Sequence, residues 1–148
     1  MDVVAKLRIK RDINIIISSL TDMKKDLHYG FIPSCLEPAR YSMAQIVKRI
    51  VLYGDIYEAV SDNMKEIEKE MDDAFIFGST KPIEEKIDIL IEKLVKINKT
   101  FIVKDIEGND VTETRKWLIS SNGKLYYLTD DIDMSLINAD NDYAYEIN

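Results

Sequence analysis

A chain of 148 residues is long enough to bury a core of its own in one domain, and 46% apolar with 32% charged residues argues against disorder throughout. A single cysteine, Cys35, excludes an internal disulfide framework, and a single histidine, His28, leaves no His/Cys cluster for zinc. The formal charge of −7 is unevenly spread: residues 125–148 hold Asp130, Asp131, Asp133, Asp140, Asp142 and Glu146 and no Lys or Arg, so residues 1–124 keep 21 acids against 20 bases.

In chain order, the first element is a helix over about residues 2–28. Ile9, Ile13, Ile16, Ile17, Leu20, Met23 and Leu27 recur at three- and four-residue steps and form one apolar face. Gly30 is placed to close it in a left-handed conformation, and residues 30–41, with Pro33 and Pro38, read as a connecting loop. Ser42-Met43-Ala44-Gln45 has the capping-box pattern and predicts a short helix to about residue 53. Asp55, just after Gly54, predicts the cap of a third helix to about residue 73, with Ile56, Val60, Met64, Ile67 and Met71 on one side. Residues 75–78 then read as a short apolar break. Pro82, Glu84 and Glu85 announce a fourth helix, in which Ile83, Ile87, Leu90, Leu94 and Ile97 step by four and three.

After Thr100 the period changes from 3.6 to 2. Residues 100–105 read as a strand, and residues 117–121 and 124–129 flank Asn122-Gly123, a type I′ hairpin signal. A two-residue turn there sets Ile119 opposite Tyr126, Leu118 opposite Tyr127 and Trp117 opposite Leu128. Residues 129–139 predict a further short helix. The order, helices first and strands after, predicts an α+β fold: about four helices packed on a small antiparallel hairpin or sheet near the C-terminus. A single domain over 1–148 is expected, mainly helical in 1–99, hairpin in 100–129 and an acidic terminal segment in 130–148.

Each candidate site has a plainer structural reading. Residues 42–52 and 56–71 have the order of a helix-turn-helix, with the hairpin as a wing, but the second helix opens on Asp55, Glu58 and Asp62, the wrong sign for phosphates. Phe77-Gly78-Ser79 with Ile87-Asp88-Ile89 holds some ingredients of a nucleotidyltransferase triphosphate site. Lys86 stands where the first aspartate belongs, however, and the spacing favours a helix over the required strand. Asp131, Asp133, Ser135 and Asp142 suit a calcium loop, but its sixth position is Leu136 instead of Gly. His28 with Cys35 is the one pairing for nucleophilic catalysis, and the sequence names no group to orient it. Lys6, Arg8, Lys10 and Arg11 form the one cationic cluster and read as a solvated face.

The expectation is therefore a non-enzymatic interaction protein with no cofactor and no metal, an inhibitor or regulator that binds another protein, with a nucleic-acid-handling protein as a candidate. Its binding residues would be Asp130, Asp131, Asp133, Asp140, Asp142, Tyr143, Tyr145 and Glu146, acids to steer and tyrosines to touch a partner with a basic surface. Direct nucleic-acid binding and membrane association are not expected, a homodimer is compatible with the pattern, and the location expected is cytoplasmic. The alternative from another class is a winged-helix transcriptional regulator.

Overall fold

The computed structural model describes residues 3–104 and three strands beyond them, 116–119, 125–127 and 143–146. Within 3–103 every regular element is a helix: α1 (Val3–Tyr29), α2 (Leu36–Ile50), α3 (Gly54–Phe77) and α4 (Lys81–Lys99). The chain divides into two compact units, residues 12–98 and residues 1–11 with 99–148.

Unit 12–98 is a four-helix bundle. Each helix buries one stripe: Ile13, Ile16, Leu20, Met23 and Leu27 from α1; Leu36, Ala39, Met43, Ile46 and Ile50 from α2. Ile56, Val60, Met64, Ile67, Met71 and Ala74 come from α3, and Ile83, Ile87, Leu90 and Leu94 from α4. Polar pairs fix how the helices run. Asn98 donates to Asn14 at 2.9 Å, Lys24 to Asp88 at 2.8 Å, and His28 meets Glu84 at 2.9 Å. As the α1 residue number rises the α4 number falls by as much, so the two helices are antiparallel along their length. Arg40 meets Asp72 at 2.5 Å across α2 and α3. Lys93 donates to Asn63 at 3.2 Å across α3 and α4. With short connections between successive helices, this is an up-down-up-down bundle.

The α+β expectation is corrected here. A sheet was expected to supply the layer that covers the helical faces, but the stripes of the four helices cover one another, and residues 3–103 are all-helical. Three boundaries also move. α2 begins at Leu36, six residues before the supposed cap Ser42, because Pro38 falls in its first turn, where a missing N–H costs no helical bond. The amides ahead of it are already satisfied, Cys35 donating to the Phe31 carbonyl at 2.9 Å and Leu36 to that of Pro33 at 3.0 Å. α3 starts on Gly54 with Tyr53 as its N-cap, which leaves Asp55 inside the first turn, and it runs on through Phe77. Its end is set by Gly78, at φ 67°, whose amide donates to the Ala74 carbonyl at 2.9 Å.

Gly30 does not take the left-handed conformation expected of it. Its constraint is space: a Cβ there would sit 2.5 Å from Cys35 Cβ and 2.6 Å from the Asp26 carbonyl oxygen.

In the other unit, residues 101–103 form no strand and Lys104 makes an isolated bridge, so the strand expected from 100 is corrected up to there; Asp105 lies outside the described residues. Alternation around Val103 reflects its burial. The strands β1 (Lys116–Ile119), β2 (Leu125–Tyr127) and β3 (Tyr143–Glu146) form an antiparallel sheet in the order β2-β1-β3. Trp117 pairs with Tyr127, Leu118 with Tyr126 and Ile119 with Leu125, one residue away from the expected register. Asn122-Gly123 itself, and the helix expected over 129–139, lie outside the described residues.

Candidate functional site

The bundle topology brings the end of α1, the start of α2, the end of α3 and the start of α4 to one end of the bundle. Two runs, each a helix end with the connection that follows it, cap that end, and their composition departs from the rest of the chain. Neither 28–36 nor 74–80 contains Asp, Glu, Lys or Arg, in a protein that is 32% charged. Leu36 and Ala74 are buried, but five apolar side chains in these runs face water: Phe31 is 84% exposed, Phe77 77%, Ile76 76% and Tyr29 75%, with Phe75 half-exposed. An open cleft of about 570 Å³ lies between the two connections, lined by Leu27, His28, Gly30, Phe31 and Ile32 on one side and Gly78, Ser79 and Thr80 on the other.

Local geometry holds this end in place. Thr80 Oγ1 lies 3.2 Å from Glu84 Oε2 and 3.3 Å from the Leu27 carbonyl, so its proton is shared between α4 and the end of α1. The other carboxylate oxygen of Glu84 meets His28 Nδ1 at 2.9 Å, and the His28 ring stacks edge-on against Tyr29 with centroids 4.8 Å apart. Ser79 Oγ accepts the Lys81 amide at 3.3 Å, and the Thr80 carbonyl accepts that of Glu84 at 3.0 Å. The Arg40 guanidinium sits 5.3 Å from the centre of the Phe75 ring while its charge meets Asp72.

His28 therefore has an orienting partner that the sequence did not announce, Glu84. Cys35, half-buried, packs close to Gly30. Asp88, from the triphosphate-like pattern, lies on α4 between Ile87 and Ile89, and both of its carboxylate oxygens accept from Lys24 at 2.8 Å, as a helical surface residue would. Among the described residues no three His, Cys, Asp or Glu side chains converge as a metal site requires.

A second concavity, about 440 Å³, runs along α1 and α2 between Asp12, Ile15 and Ser19 on one side and Ser42, Gln45 and Arg49 on the other. Asp12 accepts from Arg49 Nη1 at 3.1 Å and from the Tyr53 hydroxyl, which ties α1 to the α2–α3 connection.

The helix-turn-helix candidate does not keep its geometry. Two helices that diverge from a short turn at about 90–120° separate quickly. Here Arg40, near the start of α2, still meets Asp72, late in α3. The cationic cluster is a solvated face only in part: Arg8 and Arg11 are exposed, whereas Lys10 is 4% exposed and Lys6 donates to the Ile102 carbonyl at 3.1 Å.

Of the residues expected to bind a partner, Tyr143, Tyr145 and Glu146 lie in β3, opposite Ile119, Trp117 and Lys116 of β1. Asp130, Asp131, Asp133, Asp140 and Asp142 lie outside the described residues. The aromatic end of the bundle was missed. Phe75-Ile76-Phe77 reads as a break because it has no period, although two charge-free runs in a highly charged chain were there to be noticed. Comparison with protein-family models, curated proteins and solved structures finds no match to this chain.

Proposed function

We propose that this chain is a non-enzymatic interaction protein that docks another protein chain through the aromatic end of its bundle and acts as an inhibitor or regulator. The observation that carries this reading is the exposure of Phe31, on the α1–α2 connection, and of Ile76 and Phe77, in the last turn of α3, within two runs of sequence that hold no Asp, Glu, Lys or Arg. Three consecutive exposed apolar residues are a liability unless they have a use, and interface cores are aromatic and depleted in charge. The acidic terminal segment, Asp130 to Glu146, adds a second element that would steer the protein toward a basic surface.

Photo-crosslinking in the cell of origin tests the reading. A crosslinking residue at Phe31 or Phe77 should capture protein, a second copy included. The same residue at Lys65, on the exposed side of α3, should capture far less. Equal yields from all three positions, or none, would refute it.

A further inference from the structure

We propose that the groove between α1 and α2 binds a small organic carboxylate, its acid group at the Lys48–Arg49 end and its apolar stem along the floor. The groove shares no residue with the 28–36 and 74–80 runs, so the inference goes beyond the docking reading and does not rest on it.

The lining suits a small ligand. The volume of about 440 Å³ falls within the roughly 300–1,000 Å³ typical of ligand sites. Ile16 and Ile46, 1% and 4% exposed, give it an apolar floor. Ser19 and Ser42 are half-buried along it, and Gln45 and Lys48 are exposed beside them. These four side chains make no hydrogen bond or ion pair with another described residue, so their donors are left for water or a ligand.

Charge selects the class of ligand. Residues 12–98 hold 16 acids against 11 bases, yet the groove sets Lys48 and Arg49 against Asp12 alone. Asp12 is already engaged, accepting from Arg49 Nη1 at 3.1 Å and from the Tyr53 hydroxyl. Lys48 is the surplus. The carbonyl end of α2 offsets roughly half a charge and leaves the balance positive. One carboxylate fits that balance; a cation has the wrong sign, and a phosphate dianion wants more positive charge than the groove holds.

Length and polarity set the orientation. Lys48 and Ser42 are six residues apart on α2, about 9 Å along the axis. A chain of about eight carbons spans that distance. Past the serine end, Asp22 and Glu37 are exposed on α1 and α2 and disfavour the acid group there.

The test titrates the isotope-labelled full chain with octanoate, followed by amide chemical shifts. Ten heavy atoms in an open groove support a dissociation constant of about 1 mM, so the titration runs to about 10 mM. Saturable shifts are expected at Ser19, Ser42, Gln45 and Lys48. Octylammonium, with the same chain and the opposite charge, should bind at least about tenfold more weakly. Lys48→Glu should weaken octanoate about tenfold, and Gln45→Trp should abolish binding by filling the groove. If circular dichroism shows that Lys48→Glu disturbs the fold, Lys48→Gln replaces it, with a loss of about threefold. The absence of saturable shifts, equal binding of octylammonium, or unchanged affinity in the Lys48 variant would each overturn the proposal. So would shifts confined to Phe31, Ile76 and Phe77, which would put octanoate on the aromatic end instead.

Discussion

Three glycines in the bundle stand in three different physical situations, and replacing each by alanine should read out as three different free energies. At Gly30 a methyl group meets Cys35 Cβ and the Asp26 carbonyl closer than real Cβ atoms approach, and one of those neighbours is backbone that cannot swing away. Gly30→Ala should cost about 1–3 kcal/mol, the usual range for forced overpacking. Gly78 has open space around its missing Cβ but a φ of +67°, so Gly78→Ala should cost about 1 kcal/mol for the left-handed backbone alone. Gly54 has neither restriction and begins α3, so Gly54→Ala should be neutral or stabilising by up to about 1 kcal/mol, through the unfolded chain. Urea unfolding of the three variants checks the order, and a Gly30→Ala variant as stable as the parent would remove the packing argument. The sequence marked Gly30 as special and assigned the wrong cause. A glycine after a helix signals either positive φ or close approach, and only the position of Cys35, five residues on, separates them.

Among the elements, the interior of each helix was legible and its ends were not. The 3.6-residue spacing of Ile13, Ile16, Leu20 and Leu27, and of Val60, Met64, Ile67 and Met71, coincides with the buried stripes because burial is what the spacing encodes. The start of α2 was hidden behind Pro38, since a proline in a first turn looks the same in sequence as a proline in a loop. The end of α3 was hidden because exposed Phe75-Ile76-Phe77 breaks the polar-outside rule that period reading assumes. Pairings between helices are invisible to periodicity, and they differ in weight. Asp12 is mostly buried and receives both Arg49 and the Tyr53 hydroxyl, whereas Asp88 is half-exposed and receives Lys24. Asp12→Ala should therefore cost about 1–3 kcal/mol, since it strands two donors at the α1–α2 seam. Asp88→Ala should cost under about 1 kcal/mol, as for an exposed ion pair. Denaturant midpoints of the two variants decide it, and equal midpoints would mean that the Asp12 contacts contribute no more than a surface pair.

Along the chain as a whole, the net charge and the exposed aromatic residues fall in different segments, and the two predict different responses to salt. Residues 1–124 are nearly neutral, the runs 28–36 and 74–80 expose aromatics and hold no Asp, Glu, Lys or Arg, and six acids sit in the last 24 residues with no base among them. Burial of apolar surface does not depend on ionic screening, and strongly hydrated salts reinforce it. Attraction between an acidic segment and a basic surface is screened, since the Debye length falls from about 10 Å at 0.1 M to about 3 Å at 1 M. Capture of protein by the crosslinking residue at Phe31 or Phe77 should accordingly change by less than about twofold over that range. Capture of the chain by a lysine-rich polypeptide should fall by at least about tenfold over the same range. Replacing Asp130, Asp131 and Asp133 by Asn should flatten the second salt dependence and leave the first untouched, because the substitutions remove charge and no apolar area. Crosslinking yields and binding titrations over the same salt series compare the two directly. A parallel loss of both with salt would mean that one electrostatic surface serves both contacts, and the separation of roles between the bundle end and the terminal segment would fail.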